Sequence, residues 1–328
     1  MPSLPLSTTE RAGSNVPSER ESLLVISDVH LGSDLNDLGT GVTKRSARID
    51  RDLVRLISHY RSKKPRGARW RLVIAGDFID FIGMVITRAR GELATEPSEE
   101  ETAHGLGNAE DHACEKMRRV AERHADVFRA LATFVADGHG LTLVHGNHDI
   151  ELHWQAVRDE FRKTLLSHAP PGTDARAFGA RIEHSDWFYY DGVAYIEHGH
   201  MYDPFCATDH VMAPLSPLDP RRLARGFCDV LLRFVVRPTR GLSEHGHEKM
   251  GLFDYVAFGA KLGLRGMFDL GARFARAVLE LFRLRREHLS AAARGLREEH
   301  ERRMKLLAEA KRIGIDRLRA LVALQAQP

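Results

Sequence analysis

Four short apolar runs recur along the chain, and each is followed directly by side chains that can bind a metal ion. The runs are rich in β-branched and large aliphatic residues, and they occupy positions 23–26, 72–75, 141–144 and 193–196. Runs of this length and composition are typical of strands buried on both faces of a sheet. Because stretches with helical spacing separate the first three runs, the pattern predicts a layered α/β domain.

The same pattern predicts the elements between these strands. Helical spacing of apolar residues predicts helices at 44–61, 111–137 and 151–167. The spacing fades over residues 84–110, where Gly, Glu, Thr and Pro are frequent, and this stretch is expected to be an inserted loop. Asp191 and Gly192 stand between two strand-like runs, which predicts a tight β-hairpin turn.

Composition divides the 328 residues into three parts. Residues 1–20 combine Pro, Ser, Thr and Gly without an apolar stretch and are expected to form a disordered tail. Residues 21–204 carry the α/β pattern, and residues 205–328 predict a helical subdomain or insertion. Two interpretations of these helices stay open: they pack on the α/β core, or they present a basic amphipathic surface to lipid headgroups or a lipid substrate.

Charge, cysteine content and hydropathy limit the classes of partner and compartment. A formal net charge of +3 is small for this length and disfavours nucleic acid as a partner. The three cysteines are odd in number and widely spaced, so each is expected to be an ordinary reduced thiol. The sequence shows neither a secretory signal nor an uncharged apolar run of roughly 18 residues. We therefore expect a cytoplasmic protein, with peripheral contact to a membrane as an option.

Polar motifs follow the apolar runs. They are Asp28-x-His30, Gly76-Asp77-x-x-Asp80, Gly146-Asn147-His148-Asp149 and His198-Gly199-His200. The first motif alone is weak, but the first three occur in order, each at a strand end, and coincidence explains that poorly. Ligands of α/β sheets bind beyond the carboxyl ends of the strands. A carboxylate can span two cations, and His and Asn supply neutral ligands, so the sequence predicts a metal site at this edge.

These motifs resemble those of the calcineurin-like metallophosphoesterases. That family's pattern runs D-x-H, G-D-x-x-D, G-N-H-[DE], a His before Gly, and a closing G-H-x-H; the chain matches the first four blocks over roughly residues 22–204. The resemblance implies an α/β sandwich of two sheets flanked by helices, in αββα layers. It also implies a hydrolase with two divalent metal ions, Mn²⁺ foremost, with Fe, Zn²⁺ or Ni²⁺ as alternatives because mixed N/O ligands suit several metals.

The resemblance also implies a role for each matching residue. Five residues would be metal ligands: Asp28 and His30 on one ion, Asp77 bridging the two ions, and Asn147 and His198 on the second. His148 and Asp80 would be catalytic: His148 would protonate the leaving oxygen or stabilise the transition state, and Asp80 would orient it. A hydroxide bridging the two metals would attack phosphorus in line. His200 is expected beside the metals or facing the substrate.

The block at His198 narrows the resemblance. It looks like the H-G-[DH] block of the bacterial UDP-2,3-diacylglucosamine diphosphatases and their relatives, whereas Phe81-Ile82 stands where the protein Ser/Thr phosphatases have Arg-Gly. That diphosphatase subgroup usually carries Arg where this chain has His148, which leaves the substrate open. The expected reaction is cleavage of a phosphodiester or pyrophosphate bond in a phosphate ester, with a lipid-linked or nucleotide-sugar substrate as candidates.

The closing G-H-x-H block is absent from residues 201–328, where the only H-x-H is His245-Gly246-His247. That segment is expected to be an exposed loop, with a replacement ligand pair as the alternative. We expect the chain to be a fragment of a longer protein that carries the last His pair and the closing strands, since open sheet edges are a liability. If the site is instead natively incomplete, the alternative function is a non-catalytic lipid- or membrane-surface-binding module on a degenerate phosphoesterase scaffold.

Overall fold

The centre of the molecule is a parallel sheet of four strands in the order β1-β2-β3-β4. The computed structural model describes residues 21–37, 44–63, 69–236, 239, 261, 263–287 and 291–326. The strands are β1 (Ser22–Ile26), β2 (Trp70–Ala75), β3 (Gly140–Val144) and β4 (Ile182–Ser185). All three neighbouring pairs are parallel, so the carboxyl ends of the strands meet at one edge.

Helices flank this sheet and make up most of the C-terminal region. The first group is α1 (Lys44–Ser62), α2 (Glu99–His104), α3 (Glu110–Arg123), α4 (Ala125–Ala136), α5 (Gln155–Ser167) and α6 (Ala175–Gly179). The C-terminal group is α7 (Phe227–Leu231), which a π-helical turn extends to Val236, then α8 (Gly263–Glu287), α9 (Ala291–Lys311) and α10 (Ile315–Leu324). The predicted helical C-terminal region is confirmed.

Alternate residues of the strands face two different layers. One face packs against α1, α3, α4 and α5 in the main core, as Leu72 and Leu143 do. On the other face, Val73 and Val144 contact Tyr189 of a hairpin. This hairpin pairs β5 (Phe188–Tyr190) with β6 (Tyr195–Glu197) in antiparallel register and is the one predicted at Asp191 and Gly192. The predicted α/β class, a parallel sheet with flanking helices, is thus confirmed. Among the described residues after Glu197, strand pairing is limited to an isolated bridge between Leu215 and Leu223.

The single helix predicted at 111–137 is wrong. Helix α3 ends at Arg123 and α4 begins at Ala125, because His124 lies between them with φ −110° and ψ 33°. The buried His124 ring accepts a hydrogen bond from the backbone of Gly32 at 3.0 Å, and its Nδ1 lies 2.7 Å from Asp50 of α1. These distant contacts fix the break, since tertiary interactions override helix propensity. Similarly, a 3₁₀ turn at Ile150–His153 precedes α5, so the helix predicted at 151–167 begins only at Gln155.

Two further expectations also need correction. Strand β1 is not buried on both faces: it lies at the sheet edge, and Val25 is 46% exposed. The stretch 84–110, expected to be an inserted loop, contains α2 and contributes Met84, Ile86 and Leu106 to the main core. The expected disordered tail at 1–20, and the His245-Gly246-His247 segment, lie outside the described residues.

Acidic side chains of α2 hold the C-terminal region in place. Arg222 pairs with Glu101 at 2.8 Å, and Glu100 binds both Arg225 and Arg233. Arg233 is 2% exposed and also donates to the backbone carbonyls of residues 105 and 106. The first C-terminal helix is therefore tied to the 84–110 segment by buried ion pairs.

Candidate metal centre

The carboxyl ends of the strands bring two groups of possible metal ligands to one edge of the sheet. In the first group, one ligand atom each from Asp28, Asp77 and His198 lie within 4.8 Å of one another. In the second group, His30, Asp80 and His148 satisfy the same limit. Six of the seven predicted site residues are therefore neighbours in space, and the seventh, Asn147, places its Oδ1 3.3 Å from His198 Nε2.

Asp77 lies between the two groups. Its Oδ2 is 3.6 Å from His30 Nε2 and 3.5 Å from His198 Nε2, while its Oδ1 accepts a hydrogen bond from the backbone of His148 at 2.9 Å. Burial by itself raises the pKa of Asp77, but His198 and His148 lower the pKa to below its usual value. An ionised carboxylate between two imidazoles suits the bridging role that the resemblance implied.

The His198 ring is held in one orientation. Its Nδ1 donates to the carbonyl of Ala75 at 2.9 Å, which directs Nε2 toward Asp77 and Asn147. A backbone partner of this kind is how proteins fix the tautomer of a metal-binding histidine. A Cβ atom at Gly76 would lie 2.5 Å from the same ring, so only glycine leaves room for it.

His148 and Asp80 form a close pair beside this carboxylate. His148 Nδ1 lies 2.7 Å from Asp80 Oδ1, and His30 Nδ1 lies 3.6 Å from Asp80 Oδ2. The backbone of Gly83 donates a further hydrogen bond to Asp80. Burial raises the pKa of Asp80, but the two histidines outweigh burial and hold the pKa well below its usual range. An ionised Asp80 can thus fix the proton on His148 Nδ1.

The backbone at the strand ends is strained. Asp28, His30 and Asp77 have φ angles of 57°, 53° and 54°, in the left-handed region that non-glycine residues rarely occupy. Each such residue costs on the order of 1–2 kcal/mol. Strain of this kind persists where surrounding contacts fix it, and here it falls on three of the predicted ligands.

Asp149 is a functional residue whose role the sequence did not reveal. It is fully buried and accepts hydrogen bonds from the backbone of Phe78 at 2.8 Å and of Gly146 at 2.6 Å. Asp149 therefore ties the second motif to the third. Burial, together with the charge of Asp77, raises the pKa of Asp149 to about 6. Its position as the last residue of the third motif was the only sequence signal.

Asp28 and His30, which the resemblance places on one ion, fall in different groups: Asp28 lies with Asp77 and His198, whereas His30 lies with Asp80 and His148. Which of these residues share an ion stays a prediction. His200 lies next to the centre, with its ring centroid 5.4 Å from that of His198. The buried Nδ1 of His200 has no hydrogen-bond partner within the described part of the chain.

The residues present fit divalent metal ions. Carboxylate oxygens, imidazole nitrogens and an amide oxygen form a mixed donor set that Mn²⁺, Fe, Zn²⁺ and Ni²⁺ can all accept. The unpartnered nitrogen of His200 beside this set is a further polar atom that a bound ion or its water can satisfy.

The family comparison agrees with this geometry. The chain matches the family model for calcineurin-like phosphoesterases over residues 22–204, which is more than half of its 328 residues. The protein therefore belongs to the calcineurin-like phosphoesterases, hydrolases that act on phosphate esters with bound divalent metals. Comparisons with curated proteins and with solved structures give no match.

Two adjoining cavities lie next to the candidate centre. A narrow cavity reaches Asn147 and is lined on one side by Asn108 and Glu151. The second cavity has a volume of about 340 Å³, lies toward α8, and shares Phe205 and Arg225 with the first. Its other lining residues include several apolar side chains, namely Ala207, Phe227, Leu281 and Leu284.

Proposed function

We propose that the protein is a dinuclear metal-dependent phosphohydrolase that cleaves a phosphodiester or pyrophosphate bond. The observation that carries this proposal is the position of Asp77 Oδ2 between the Nε2 atoms of His30 and His198, with the His148–Asp80 pair alongside. The arrangement offers one carboxylate to two ions and one histidine to the leaving group.

The chain's own residues have separable tasks in this reaction. The ions would be held by Asp28, His30, Asp77, Asn147 and His198. Bound ions would neutralise phosphoryl charge and lower the pKa of the attacking water. Asp80 keeps the proton of His148 on Nδ1 and so sets the orientation of the ring. His148 then donates a proton to the oxygen that leaves phosphorus.

Elemental analysis tests the metal content directly. After reconstitution with Mn²⁺, Fe, Zn²⁺ or Ni²⁺ in parallel, we expect about two ions per chain, with Mn²⁺ supporting the fastest hydrolysis. One ion or none would contradict the dinuclear proposal. The Asp77→Asn variant is expected to lose metal and at least about 100-fold in hydrolysis of bis(p-nitrophenyl) phosphate. Asp159→Asn, an exposed carboxylate of α5, is the matched control, and unchanged hydrolysis in Asp77→Asn would also refute the proposal.

We further propose an amphipathic substrate, either lipid-linked or a nucleotide sugar with an apolar part. The cavity of about 340 Å³ supports this, because Phe227, Leu281 and Leu284 line it next to the space that reaches Asn147. The resemblance of the H-G-H block to the H-G-[DH] block of the UDP-2,3-diacylglucosamine diphosphatases is a second support for this class. A comparison of two pyrophosphate diesters that differ only in an acyl chain tests it. We expect a KM at least tenfold lower for the acylated ester, and equal KM values would contradict this class.

Helix α8 supports peripheral contact with a membrane from the cytoplasmic side. Its inner face packs on α7 through Leu270 and Ala277. Its outer face exposes large apolar side chains: Met267, Phe268, Val278, Leu279 and Phe282. Arg265 and Arg276 are exposed on the same helix. An apolar face beside arginines is typical of helices that lie in an anionic lipid surface. None of the described helices is both long and apolar enough to cross a bilayer.

Co-sedimentation with phosphatidylglycerol vesicles separates this contact from the hydrolase proposal. We expect binding that is lost in the triple variant Phe268→Ser, Leu279→Ser and Phe282→Ser, while hydrolysis of a soluble diester persists. Absence of binding would refute the membrane contact and leave the hydrolase intact. Binding without hydrolysis, after loading with each metal, would instead favour the alternative of a non-catalytic lipid-binding module.

A further inference from the structure

Two cysteine thiols meet at the wall of the narrow cavity. Cys206 Sγ lies 3.6 Å from Cys228 Sγ, and both residues are half-buried and reduced. Cys206 follows the 3₁₀ turn His200–Tyr202, whereas Cys228 belongs to the first turn of α7. The pair therefore joins the segment after His198 to the C-terminal helices.

The backbones of the two segments hold these thiols together. The backbone of Cys228 donates to the carbonyl of Phe205 at 3.3 Å, and the backbone of Cys206 donates to Asp203 at 3.0 Å. The rings of Phe205 and Phe227 lie 5.0 Å apart, between their centroids. A disulfide needs an S–S distance of about 2.0 Å, so the sulfur atoms have only about 1.5 Å to close.

Access and chemistry distinguish this pair from the third cysteine. Cys206 and Cys228 both line the cavity that reaches Asn147, so a small solute in that cavity meets both sulfur atoms. Cys114 is instead packed in the main core, and burial raises the pKa of its thiol to about 12. Cys114 is therefore unreactive at neutral pH and serves as an internal reference.

We propose that Cys206 and Cys228 are a modification site at which hydrogen peroxide forms a reversible disulfide. The thiolate of one cysteine attacks a peroxide oxygen, the O–O bond breaks, and a sulfenic acid and water result. The thiol of the other cysteine attacks the sulfenic sulfur, which forms the S–S bond and releases a second water. Two thiols thus lose two electrons and two protons, and the peroxide is reduced to two water molecules.

The disulfide would fix one wall of the cavity beside the metal centre. It would link the segment after His198 and the 3₁₀ turn His200–Tyr202 to α7. Helix α7 is already anchored to α2 through Arg233 and Glu100. Any effect of this cross-link on turnover rests on the proposed function. Formation of the disulfide does not, since it needs neither metal nor substrate.

Mass spectrometry of the full chain, in the presence of EDTA, tests the proposal. Alkylated in denaturant, which exposes Cys114, the reduced protein should take up three N-ethylmaleimide groups, one for each cysteine. After brief treatment with hydrogen peroxide it should take up one, at Cys114, and digestion should yield a Cys206–Cys228 linked peptide. Dithiothreitol should restore all three sites. Cys114→Ser should form the same linked peptide, whereas Cys206→Ser should form none.

Several outcomes would overturn the proposal. They are full alkylation after peroxide treatment, a linked peptide that contains Cys114, and a disulfide between two chains on a non-reducing gel. Because these readouts record covalent structure alone, an inactive protein can still form the linked peptide. Equally, an active phosphohydrolase without the linked peptide would refute the modification site and leave the proposed function standing.

Discussion

A Cβ atom at Gly146 would lie 2.0 Å from Asp77 Oδ1 and 2.7 Å from the Asp77 backbone nitrogen. Real Cβ atoms do not approach other heavy atoms this closely. The glycine of the third motif is therefore required by the carboxylate of the second. A side chain at residue 146 must displace the bridging candidate Asp77, whose own backbone already holds a left-handed conformation.

Gly146→Ala should therefore disturb the candidate metal centre, because the added methyl group must displace Asp77. We expect kcat/KM to fall about 100-fold or more, since a displacement of about 1 Å costs that much at a catalytic site. Bound metal per chain, measured by elemental analysis, should fall as well. The control is Gly295→Ala in α9, where a Cβ atom meets nothing within 4 Å. Equal metal content and activity in the two variants would show that Asp77 tolerates the added methyl group.

His148 should matter most when the leaving group is poor. A p-nitrophenolate leaves without a proton, whereas an alkoxide needs one, so loss of a general acid affects alkyl esters more. For His148→Ala we expect kcat to fall about 10³-fold with dimethyl phosphate, from which methoxide must leave, and far less with methyl p-nitrophenyl phosphate, from which p-nitrophenolate leaves. Asp80→Asn should reproduce this pattern because it removes the carboxylate charge that keeps the proton on His148 Nδ1. His59→Ala, an exposed position of α1, should leave both rates unchanged. An equal loss with both leaving groups would exclude the acid role.

The ion pair between Glu101 and Arg222 should make stability depend on pH. Burial raises the pKa of Glu101, but the hydrogen bonds from Arg222 and from the backbone of Ser98 outweigh it and lower the pKa from about 4.5 to about 2. Because the folded pKa is the lower one, this stabilisation is fully present above pH 4.5 and is lost as the pH falls toward 2. Glu101→Gln keeps the contact to Ser98 but not the charge. Urea titrations should therefore show a higher free energy of unfolding for the wild type than for the variant at pH 7, and this difference should shrink below pH 4.5. A difference that stays constant with pH would contradict the ion pair. Glu99→Gln is the exposed control.

Arg233 should be one of the most sensitive positions outside the centre. It is 2% exposed and pairs with both Glu100 and Asp229. Arg233→Met removes the buried one of the two arginines that these carboxylates share and leaves them Arg225 alone, so we expect the free energy of unfolding to drop by about 3 kcal/mol. Arg302→Met breaks an exposed pair in α9 and should change it by less than about 1 kcal/mol. Denaturant unfolding measures both; similar values would mean that the Arg233 pairs are no stronger than surface ones.

The parts of the fold that follow from local pattern were predictable. Apolar runs end directly at the motifs, so strands β1, β2 and β3 could be placed within about one residue. The motifs also sufficed to gather Asp28, Asp77 and His198, because parallel strands deliver their carboxyl ends to one edge. The separation of Asp28 from His30 into two groups was not predictable, since it depends on the left-handed backbone at these two residues.

The features that sequence analysis missed depend on residues far apart in the chain. The break at His124 depends on Asp50 and Gly32, and neither neighbour is visible in the helical spacing around residue 124. The packing of residues 84–110 depends on partners in the C-terminal half, such as Arg222. That arginine looked like one more basic residue of an amphipathic segment. In the sequence, a charged residue that is buried against a distant partner looks the same as a charged residue that faces water.

The ion pairs between α2 and the segment that contains α7 change the interpretation of residues 84–110 as an inserted loop. Because Glu100 pairs with both Arg225 and Arg233, excision of this stretch would leave the two arginines to share Asp229. The stretch and the C-terminal helices must open and close as a single cooperative unit, with amide exchange in residues 99–106 and 227–236 rising together.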